Sequence, residues 1–335
     1  MRWPVVGLLS LLCLCLTGCA SPTTYRYRQI VMGVEATVSI VASDEARGIE
    51  GGRIAFARLA ELEQVMSDYR PDSELMRLCA THDVAVQVSP DLFEVLDRAE
   101  EARRLSDGLF DTSVGPLTLL WREARKRGEF PSAAAIAEAR ARSGGDAIEL
   151  DRAARTVTLR RAGMRLDLGG IGKGFAAAKA IEDLRSRGHP CALVAIAGDI
   201  AAGDAPPGKA GWSVDIEQPD GSRERIELVR ASVSTSGDRE QFIERDGVRY
   251  SHLLDPRTGI GSTTQRQVTV VGPDGAAVDA LSSALSIAPR SDASRIARRY
   301  GGDYRVWGLS SGVPSAPAAR EAGACRSPLT PEPMR

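Results

Sequence analysis

The stretch LDLGGIGKGF, Leu166 to Phe175, joins a predicted strand at 165–168 to a predicted helix at 174–187. Two adjacent glycines at such a junction let backbone N–H groups approach an anion, and the dipole of the following helix favours negative charge. Asp167 could accept a hydrogen bond from a ribose hydroxyl or an adenine amine, and Lys173 adds a point charge for a phosphate. The pattern is neither GxGxxG nor Walker A, so a tight packing turn is the alternative.

The rest of the chain surrounds this stretch with alternating and helical apolar patterns. We predict two strands within 27–41, broken at Met32 and Gly33, and helices at 46–67 and 276–287. Successive short strands follow between residues 212 and 252. These elements predict an α+β fold, with a mainly antiparallel sheet as its core and flanking helices.

Composition limits the functional classes. The 335 residues carry a formal net charge of −1, with 43% hydrophobic and 26% charged residues. This is ordinary globular composition, and the length predicts one or two domains. There is no basic excess and no aromatic-basic module, so we expect no nucleic-acid partner.

The first 18 residues are typical of a secretory signal, with Arg2 followed by a short apolar run at 5–16. Leu16-Thr17-Gly18-Cys19 also resembles a bacterial lipobox, in which the signal is cut before the cysteine and the thiol is lipidated. A plain secretory signal is the alternative. With lipid on Cys19, the protein would be anchored on the periplasmic face of a bacterial membrane, the inner membrane being expected.

The remaining boundaries follow from composition. We predict a linker at 19–27, one folded domain at 28–308, and a disordered tail at 309–335, where Pro, Ala and Ser accumulate.

The stretch RYSHLLDPRTG, Arg249 to Gly259, holds His252, with Asp255 three residues later. Histidine ionises near neutral pH, which suits proton removal from a nucleophile. A surface histidine beside a hairpin turn is the alternative.

Asp279 and Ser283 lie four residues apart near the start of a predicted helix and therefore share a face. A carboxylate and a hydroxyl at that spacing can bind one hard cation such as Mg²⁺. Asp279 as an ordinary first-turn charge is the alternative. Two further features could contact a planar, phosphorylated ligand, namely the hydroxyl-rich turn at 234–238 and Tyr69.

Taken together, these stretches resemble the ApbE family of FAD:protein FMN transferases over about residues 30 to 305. The segments that carry the resemblance occur in the family's order: Met32-Gly33 (family MGT), residues 66–75 (MSxYxPxSEL), residues 108–117 (GxFDxTVGPL), Trp121, residues 167–174 (DLGGIxKG), Gly198-Asp199, residues 234–238, residues 251–259 and residues 279–283.

The resemblance implies a T-fold-related flavin transferase architecture and a reaction. Such an enzyme takes FAD as substrate, needs Mg²⁺, moves the FMN half onto a threonine hydroxyl of a target protein and releases AMP. Known acceptors are subunits of sodium-pumping NADH:quinone oxidoreductase (Nqr) and of Rnf-type complexes. Some relatives instead hydrolyse FAD to FMN and AMP. A third possibility is a non-catalytic periplasmic FAD-binding lipoprotein.

The resemblance also implies residue roles. His252 would take the proton of the acceptor threonine, and Asp255 would orient the site. Mg²⁺ would be held by Asp279, Ser283 and the carbonyl of Gly170. The FAD pocket would be lined by Met32, Tyr69, Leu109, Phe110, Asp111, Asp167, Lys173 and Leu254.

Four positions depart from the family pattern. Ser283 stands where threonine is common, and its hydroxyl should preserve metal binding. Ala178 replaces a frequent aspartate, and Val34 replaces threonine after Gly33. Gly261 replaces a proline, which predicts a looser loop after Gly259.

Overall fold

The computed structural model describes residues 22–218, 221–237 and 241–308. The strands are β1 (Thr23–Val31), β2 (Val34–Ala42), β3 (Val86–Gln87), β4 (Ile148–Asp151), β5 (Thr156–Leu159), β6 (Ala192–Ile196), β7 (Asp199–Ala202), β8 (Trp212–Glu217), β9 (Arg223–Leu228), β10 (Ala231–Ser236), β11 (Phe242–Arg245), β12 (Val248–Ser251), β13 (Leu254–Asp255), β14 (Ile260–Gly261), β15 (Val268–Gly272) and β16 (Arg305–Trp307). The helices are α1 (Glu45–Met66), α2 (Glu74–Cys79), α3 (Pro90–Leu105), α4 (Gly115–Arg127), α5 (Ala133–Ala141), α6 (Gly172–Ser186), α7 (Gly275–Ile287) and α8 (Arg290–Arg299).

One seven-stranded sheet forms the centre of the fold, in the order β1-β2-β6-β7-β10-β15-β16. Every neighbouring pair in it is antiparallel. The predicted α+β class with an antiparallel core is therefore confirmed.

The two faces of this sheet are covered differently. Helices α1, α6 and α7 pack against one face and enclose the main apolar core. The β8–β9 hairpin covers the other face, where Trp212, Ile226 and Leu228 pack against Val233 and Val271. Successive residues of a strand point to opposite faces, so each central strand supplies both cores.

The N-termini of α6 and α7 cross with almost no space between their backbones. A Cβ added to Gly174 would lie 2.2 Å from the carbonyl oxygen of Gly275, and one added to Gly275 would lie 2.3 Å from that of Gly174. Only glycine permits this approach. The crossing brings Asp279 against α6, where its Oδ2 accepts a 3.0 Å hydrogen bond from the N–H of Gly174.

The connections at one end of the sheet position the functional residues. The β1–β2 turn, the β6–β7 turn, the end of β10 and the start of β15 all lie there, because neighbouring strands run in opposite directions. The segment between β10 and β15 contains the two hairpins β11–β12 and β13–β14. The His252 stretch therefore reaches the same end of the sheet as the glycine stretch before α6.

Some boundaries differ from the prediction. Residues 165–168 form no strand, and α6 begins at Gly172, two residues earlier than predicted. Strand β1 begins at Thr23, so Thr23–Tyr27 belong to the sheet rather than to a linker. The predicted signal at 1–18, Cys19 and the predicted tail at 309–335 lie outside the described residues. In the described part of the chain, no helix is long and apolar enough to cross a membrane.

We predict that Gly174→Ala will lower the free energy of unfolding by about 2–3 kcal/mol, because its methyl group would overlap the backbone of α7. Chemical denaturation measures this change. Gly302→Ala is the matched control, since a Cβ there meets nothing within 4 Å, and it should change stability by less than about 0.5 kcal/mol. Equal stability of the two variants would contradict the close crossing of α6 and α7.

Candidate functional site

A cleft of about 860 Å³ opens at this end of the sheet. Most of the predicted site residues line it: Met32, Tyr69, Leu109, Phe110, Asp111, Asp167, Gly170, Lys173, His252, Leu254, Asp279 and Ser283. Asp255 is not among the lining residues, and Cys19 lies outside the described part of the chain. Residues separated by up to 251 positions in the sequence therefore share one cavity (Met32 to Ser283).

Two tight turns form one edge of the cleft, and each contains a non-glycine residue with a left-handed backbone. Met32 and Gly33, between β1 and β2, have φ angles of 53° and 73°, as a type I′ hairpin turn requires. Ala197, between β6 and β7, has φ 51°. Side chains rarely adopt this conformation, and such residues concentrate at functional sites.

Asp167 holds the glycine turn closed. Its backbone N–H donates to the carbonyl oxygen of Thr112 at 2.7 Å, and its Oδ1 accepts from the N–H of Gly169 at 2.8 Å. Its Oδ2 lies 3.4 Å from a guanidinium nitrogen of Arg122. The carboxylate is therefore partly used within the protein, whereas the sequence suggested only a ligand contact.

Arg122 on α4 connects Asp167 with Asp68 and Tyr69. Its guanidinium binds the carboxylate of Asp68 and lies 4.3 Å from the centre of the Tyr69 ring. Burial, together with the charge of Asp167, raises the pKa of Asp68, and Arg122 opposes this shift. Tyr69 is 75% exposed at the cleft, so a planar group could stack on the part of the ring that Arg122 leaves open.

The Leu109-Phe110-Asp111 turn forms a fixed wall. Leu109 and Phe110 belong to the main apolar core. Asp111 accepts hydrogen bonds from the N–H groups of Ser113 at 2.8 Å and Gly145 at 2.9 Å. These contacts fix the shape of the cleft on the side facing Gly170.

Lys173 lies on the floor of the cleft between two buried carboxylates. Its Nζ is 2.8 Å from Oδ2 of Asp199 and 3.9 Å from Oδ2 of Asp279. Burial alone would lower the pKa of Lys173, but Asp279 and Asp199 raise it above its ordinary value. Burial and the charge of Asp199 raise the pKa of Asp279 to about 7, against the opposing effect of Lys173. The predicted phosphate-binding lysine is therefore already ion-paired.

Oxygen atoms from two elements converge beside Asp279. Ser283, one turn further along α7, places its Oγ 3.5 Å from the carbonyl oxygen of Gly170. A carboxylate, a hydroxyl and a carbonyl are the donor types that hard divalent cations prefer. Within the described ranges, no cluster of three or more His, Cys, Asp or Glu side chains has the geometry to hold a metal. Any cation here would need ligands beyond these protein groups.

Hydrogen-bonded serines link this corner of the cleft to the sheet. Ser236 Oγ lies 2.8 Å from Ser282 Oγ and 3.2 Å from Ser283 Oγ. Ser234 Oγ is 3.1 Å from Ser282 Oγ. Strand β10 thereby fixes the position of Ser283 in α7. Asp238, the last residue of the predicted hydroxyl-rich turn, lies outside the described residues.

His252 lines the cleft directly after β12. Its Nδ1 lies 3.1 Å from the carbonyl oxygen of Gln241. A carbonyl only accepts hydrogen bonds, so Nδ1 carries the proton, and Nε2 is then the basic nitrogen of the neutral ring. This tautomer suits a general base.

Asp255 has a different environment from the one predicted. Its carboxylate binds the guanidinium of Arg257 at 2.9 and 2.7 Å, and the N–H of Arg257 at 2.9 Å. Burial would raise the pKa of Asp255, but these contacts lower it. The contacts described for Asp255 do not include His252, and those with Arg257 fix the turn that follows His252.

Trp121 fixes the far end of this turn. Its indole N–H donates to the carbonyl oxygen of Gly259 at 2.9 Å, and its ring packs against Phe130 and Tyr250. The following residues Ile260 and Gly261 form β14, paired with β13. A Cβ on Gly261 would lie 2.3 Å from the carbonyl oxygen of Ser251. Gly261, which stands where the family pattern has proline, therefore permits a close contact with the backbone of β12.

Sequence reasoning assigned no role to Asp199 or Arg122. Gly198-Asp199 is part of the pattern that resembles ApbE. An aspartate directly after a buried strand and a tight turn could have indicated a site residue at Asp199. Arg122 had no such signal, because its partners Asp68 and Asp167 lie 54 and 45 positions away.

Comparison with known proteins agrees with this geometry. The model of the ApbE family matches residues 32–307. The FAD:protein FMN transferase of Treponema pallidum is 33% identical over 305 residues, which cover 85% of this chain and 84% of the relative. The apo crystal structure of the flavinyl transferase ApbE from Pseudomonas stutzeri superposes with a TM-score of 0.74 at 31% identity, covering 83% of this chain and 89% of that structure.

A further solved structure, the flavin transferase ApbE from Vibrio cholerae, has a TM-score of 0.74 at 25% identity and covers 87% of this chain and 98% of that one. The fold is thus that of a flavin transferase. The chain belongs to the ApbE family.

Proposed function

We propose that this protein transfers the FMN half of FAD onto a threonine hydroxyl of a target protein in a Mg²⁺-dependent reaction that releases AMP. The observation that carries the proposal is one cleft that is lined both by His252 and by Asp279, Ser283 and Gly170. The relatives named FAD:protein FMN transferase support the reaction class.

The residues present fit a magnesium ion. The carboxylate of Asp279, the hydroxyl of Ser283 and the carbonyl of Gly170 would hold it, with phosphate oxygens and water completing the shell. The ion would neutralise pyrophosphate charge, which is the main requirement of phosphoryl-type transfer. Asp199 and Asp279 leave an excess of negative charge on the cleft floor, so a pyrophosphate needs a cation there.

His252 would remove the proton of the acceptor hydroxyl with Nε2. The threonine oxygen then forms a bond to the phosphorus of the FMN half, and the bond from that phosphorus to the bridging oxygen breaks. The electron pair leaves with AMP. His252 is suited to this step because the Gln241 carbonyl holds its Nδ1 proton.

The flavin and adenine parts of FAD would occupy the remaining cleft. Tyr69 and Met32 offer an exposed ring and a thioether at the rim, and Leu109, Phe110 and Leu254 supply apolar walls. Asp111, Asp167 and Lys173 add polar contacts at positions that their internal hydrogen bonds and ion pairs already fix.

The direct test incubates the purified protein with FAD, Mg²⁺ and an acceptor domain that carries a target threonine. We expect a target band with flavin fluorescence on a denaturing gel and one AMP released per flavin attached. EDTA should abolish both signals, because phosphoryl transfer needs the cation for charge neutralisation.

Other outcomes of this assay point elsewhere. AMP without a labelled band, under conditions in which a related transferase labels the same acceptor, would indicate an FAD pyrophosphatase. Bound FAD with neither AMP nor a band would indicate a flavin carrier. Full activity in EDTA would contradict the metal requirement.

We predict that His252→Ala will reduce the rate of flavin transfer by about 10²–10⁴-fold and leave FAD affinity nearly unchanged, because only the proton acceptor is removed. Fluorescence titration measures FAD binding, and the gel assay measures transfer. His82→Ala is the control, since His82 is an exposed histidine that pairs with Asp83 outside the cleft. Transfer by His252→Ala at the wild-type rate would rule out His252 as the base.

We further propose lipid anchoring through Cys19 on the periplasmic face of the inner membrane, with Nqr- or Rnf-type subunits as acceptors. The support is the Leu16-Thr17-Gly18-Cys19 pattern and the family resemblance. Cys19→Ser should abolish incorporation of a labelled fatty acid into the protein, because the thiol that takes the lipid is removed. Equal labelling of this variant and the wild type would contradict the anchor, and Ser21→Ala is a control that should be labelled as the wild type is.

A further inference from the structure

The carboxylate of Asp199 has an unusual environment on the cleft floor. Asp199 is 3% exposed, and its Oδ2 lies 2.8 Å from Nζ of Lys173. Its Oδ1 is shielded from solvent and has no hydrogen-bond partner in the described part of the chain. Burying an unpaired carboxylate oxygen is costly, so such a group needs a compensating role.

Lys173 is held asymmetrically between its two carboxylates. Its Nζ is 2.8 Å from Asp199 but 3.9 Å from Asp279. Asp279 instead accepts the backbone N–H of Gly174. The ammonium group of Lys173 therefore lies closer to Asp199 on β7 than to Asp279 on α7.

The net charge of Lys173 and its two carboxylates depends on Asp199. With all three groups ionised, Lys173, Asp199 and Asp279 have a net charge of −1. Without the charge of Asp199 the set is neutral, and Asp279 would be the nearest carboxylate to Lys173, whose Nζ also donates to the carbonyl oxygen of Gly169 at 3.4 Å. An ammonium that close would compete with a divalent cation for the same carboxylate. The oxygen set formed with Ser283 and Gly170 carries no other formal charge.

We infer that Asp199 is a positioning residue that holds Lys173 away from Asp279 and so keeps Asp279 available to a divalent cation. The inference rests on the proposed function, because that function supplies the cation. It assigns Asp199 no contact with the reacting atoms.

The test measures Mn²⁺ binding to the free protein by electron paramagnetic resonance, which needs no FAD and no turnover. Asp199→Asn should raise the Kd for Mn²⁺ by about tenfold, since an ion pair is redirected onto Asp279. Lys173→Met should lower the Kd, because the competing ammonium is removed. The double variant should return to within about threefold of the wild type, since the two effects are coupled through one contact.

Asp204→Asn is the matched control. Asp204 is also buried, at 8% exposure, and pairs with Arg230 at 2.5 Å just beyond the other end of β7. This variant should bind Mn²⁺ as the wild type does. Thermal unfolding of every variant checks that a change in Kd does not reflect loss of the fold.

Four results would overturn the inference. Equal Kd values for the wild type and Asp199→Asn would remove the role of Asp199 and leave the proposed function standing. A double variant as weak as Asp199→Asn would make Asp199 a direct cation ligand. No effect of Lys173→Met would show that the ammonium does not compete. Absence of Mn²⁺ binding by the wild type would overturn both this inference and the metal site of the proposed function.

Discussion

The close approach of two helix backbones determines the geometry of the cleft. Gly174 in α6 and Gly275 in α7 are in contact, so no side chain separates the first turns of these helices. Asp279 consequently reaches the backbone of α6 and lies beside Lys173. The glycine turn before α6 then brings the carbonyl of Gly170 to Ser283. A wider crossing would separate the groups that the proposed chemistry needs together.

Two ion clusters lie on this frame. Arg122 lies between Asp68 and Asp167, with Arg165 also close to Asp68, and Lys173 lies between Asp199 and Asp279. In the second cluster one cation faces two carboxylates, so that cluster is negative by one charge when fully ionised. Burial raises the pKa of Asp68 and of Asp279, as expected when two carboxylates compete for one partner. A cation bound beside Asp279 would offset the repulsion between Asp199 and Asp279.

Local patterns predicted much of this arrangement. The hairpin at Met32 and Gly33, the long helix ending at Met66 and the buried helix carrying Asp279 follow from periodicity and turn chemistry, and the structure agrees. The convergence of His252 with Asp279 did not follow from periodicity, because it depends on the connections between antiparallel strands. The resemblance to a family supplied that link.

Other features could not be predicted because they depend on tertiary contacts. Residues 165–168 were predicted as a strand but join no sheet, and the N–H of Asp167 donates to the carbonyl oxygen of Thr112 instead. Asp255 is near His252 in sequence, yet Arg257 takes its carboxylate. The sequence predicted Lys173 as a phosphate ligand, whereas in the structure it forms an ion pair with Asp199 of β7. At Lys173, sequence proximity was a poor guide because its partner Asp199 comes from a distant strand.

The left-handed backbone conformation of Met32 and Ala197 affects which substitutions selection favours at these two positions. Glycine would relieve the steric cost at both turns, but it would also remove a side chain from the cleft edge. Selection for stability and selection for ligand contact therefore oppose each other at these two positions. Variants chosen for heat resistance alone should accumulate replacements there, and such replacements trade activity for robustness.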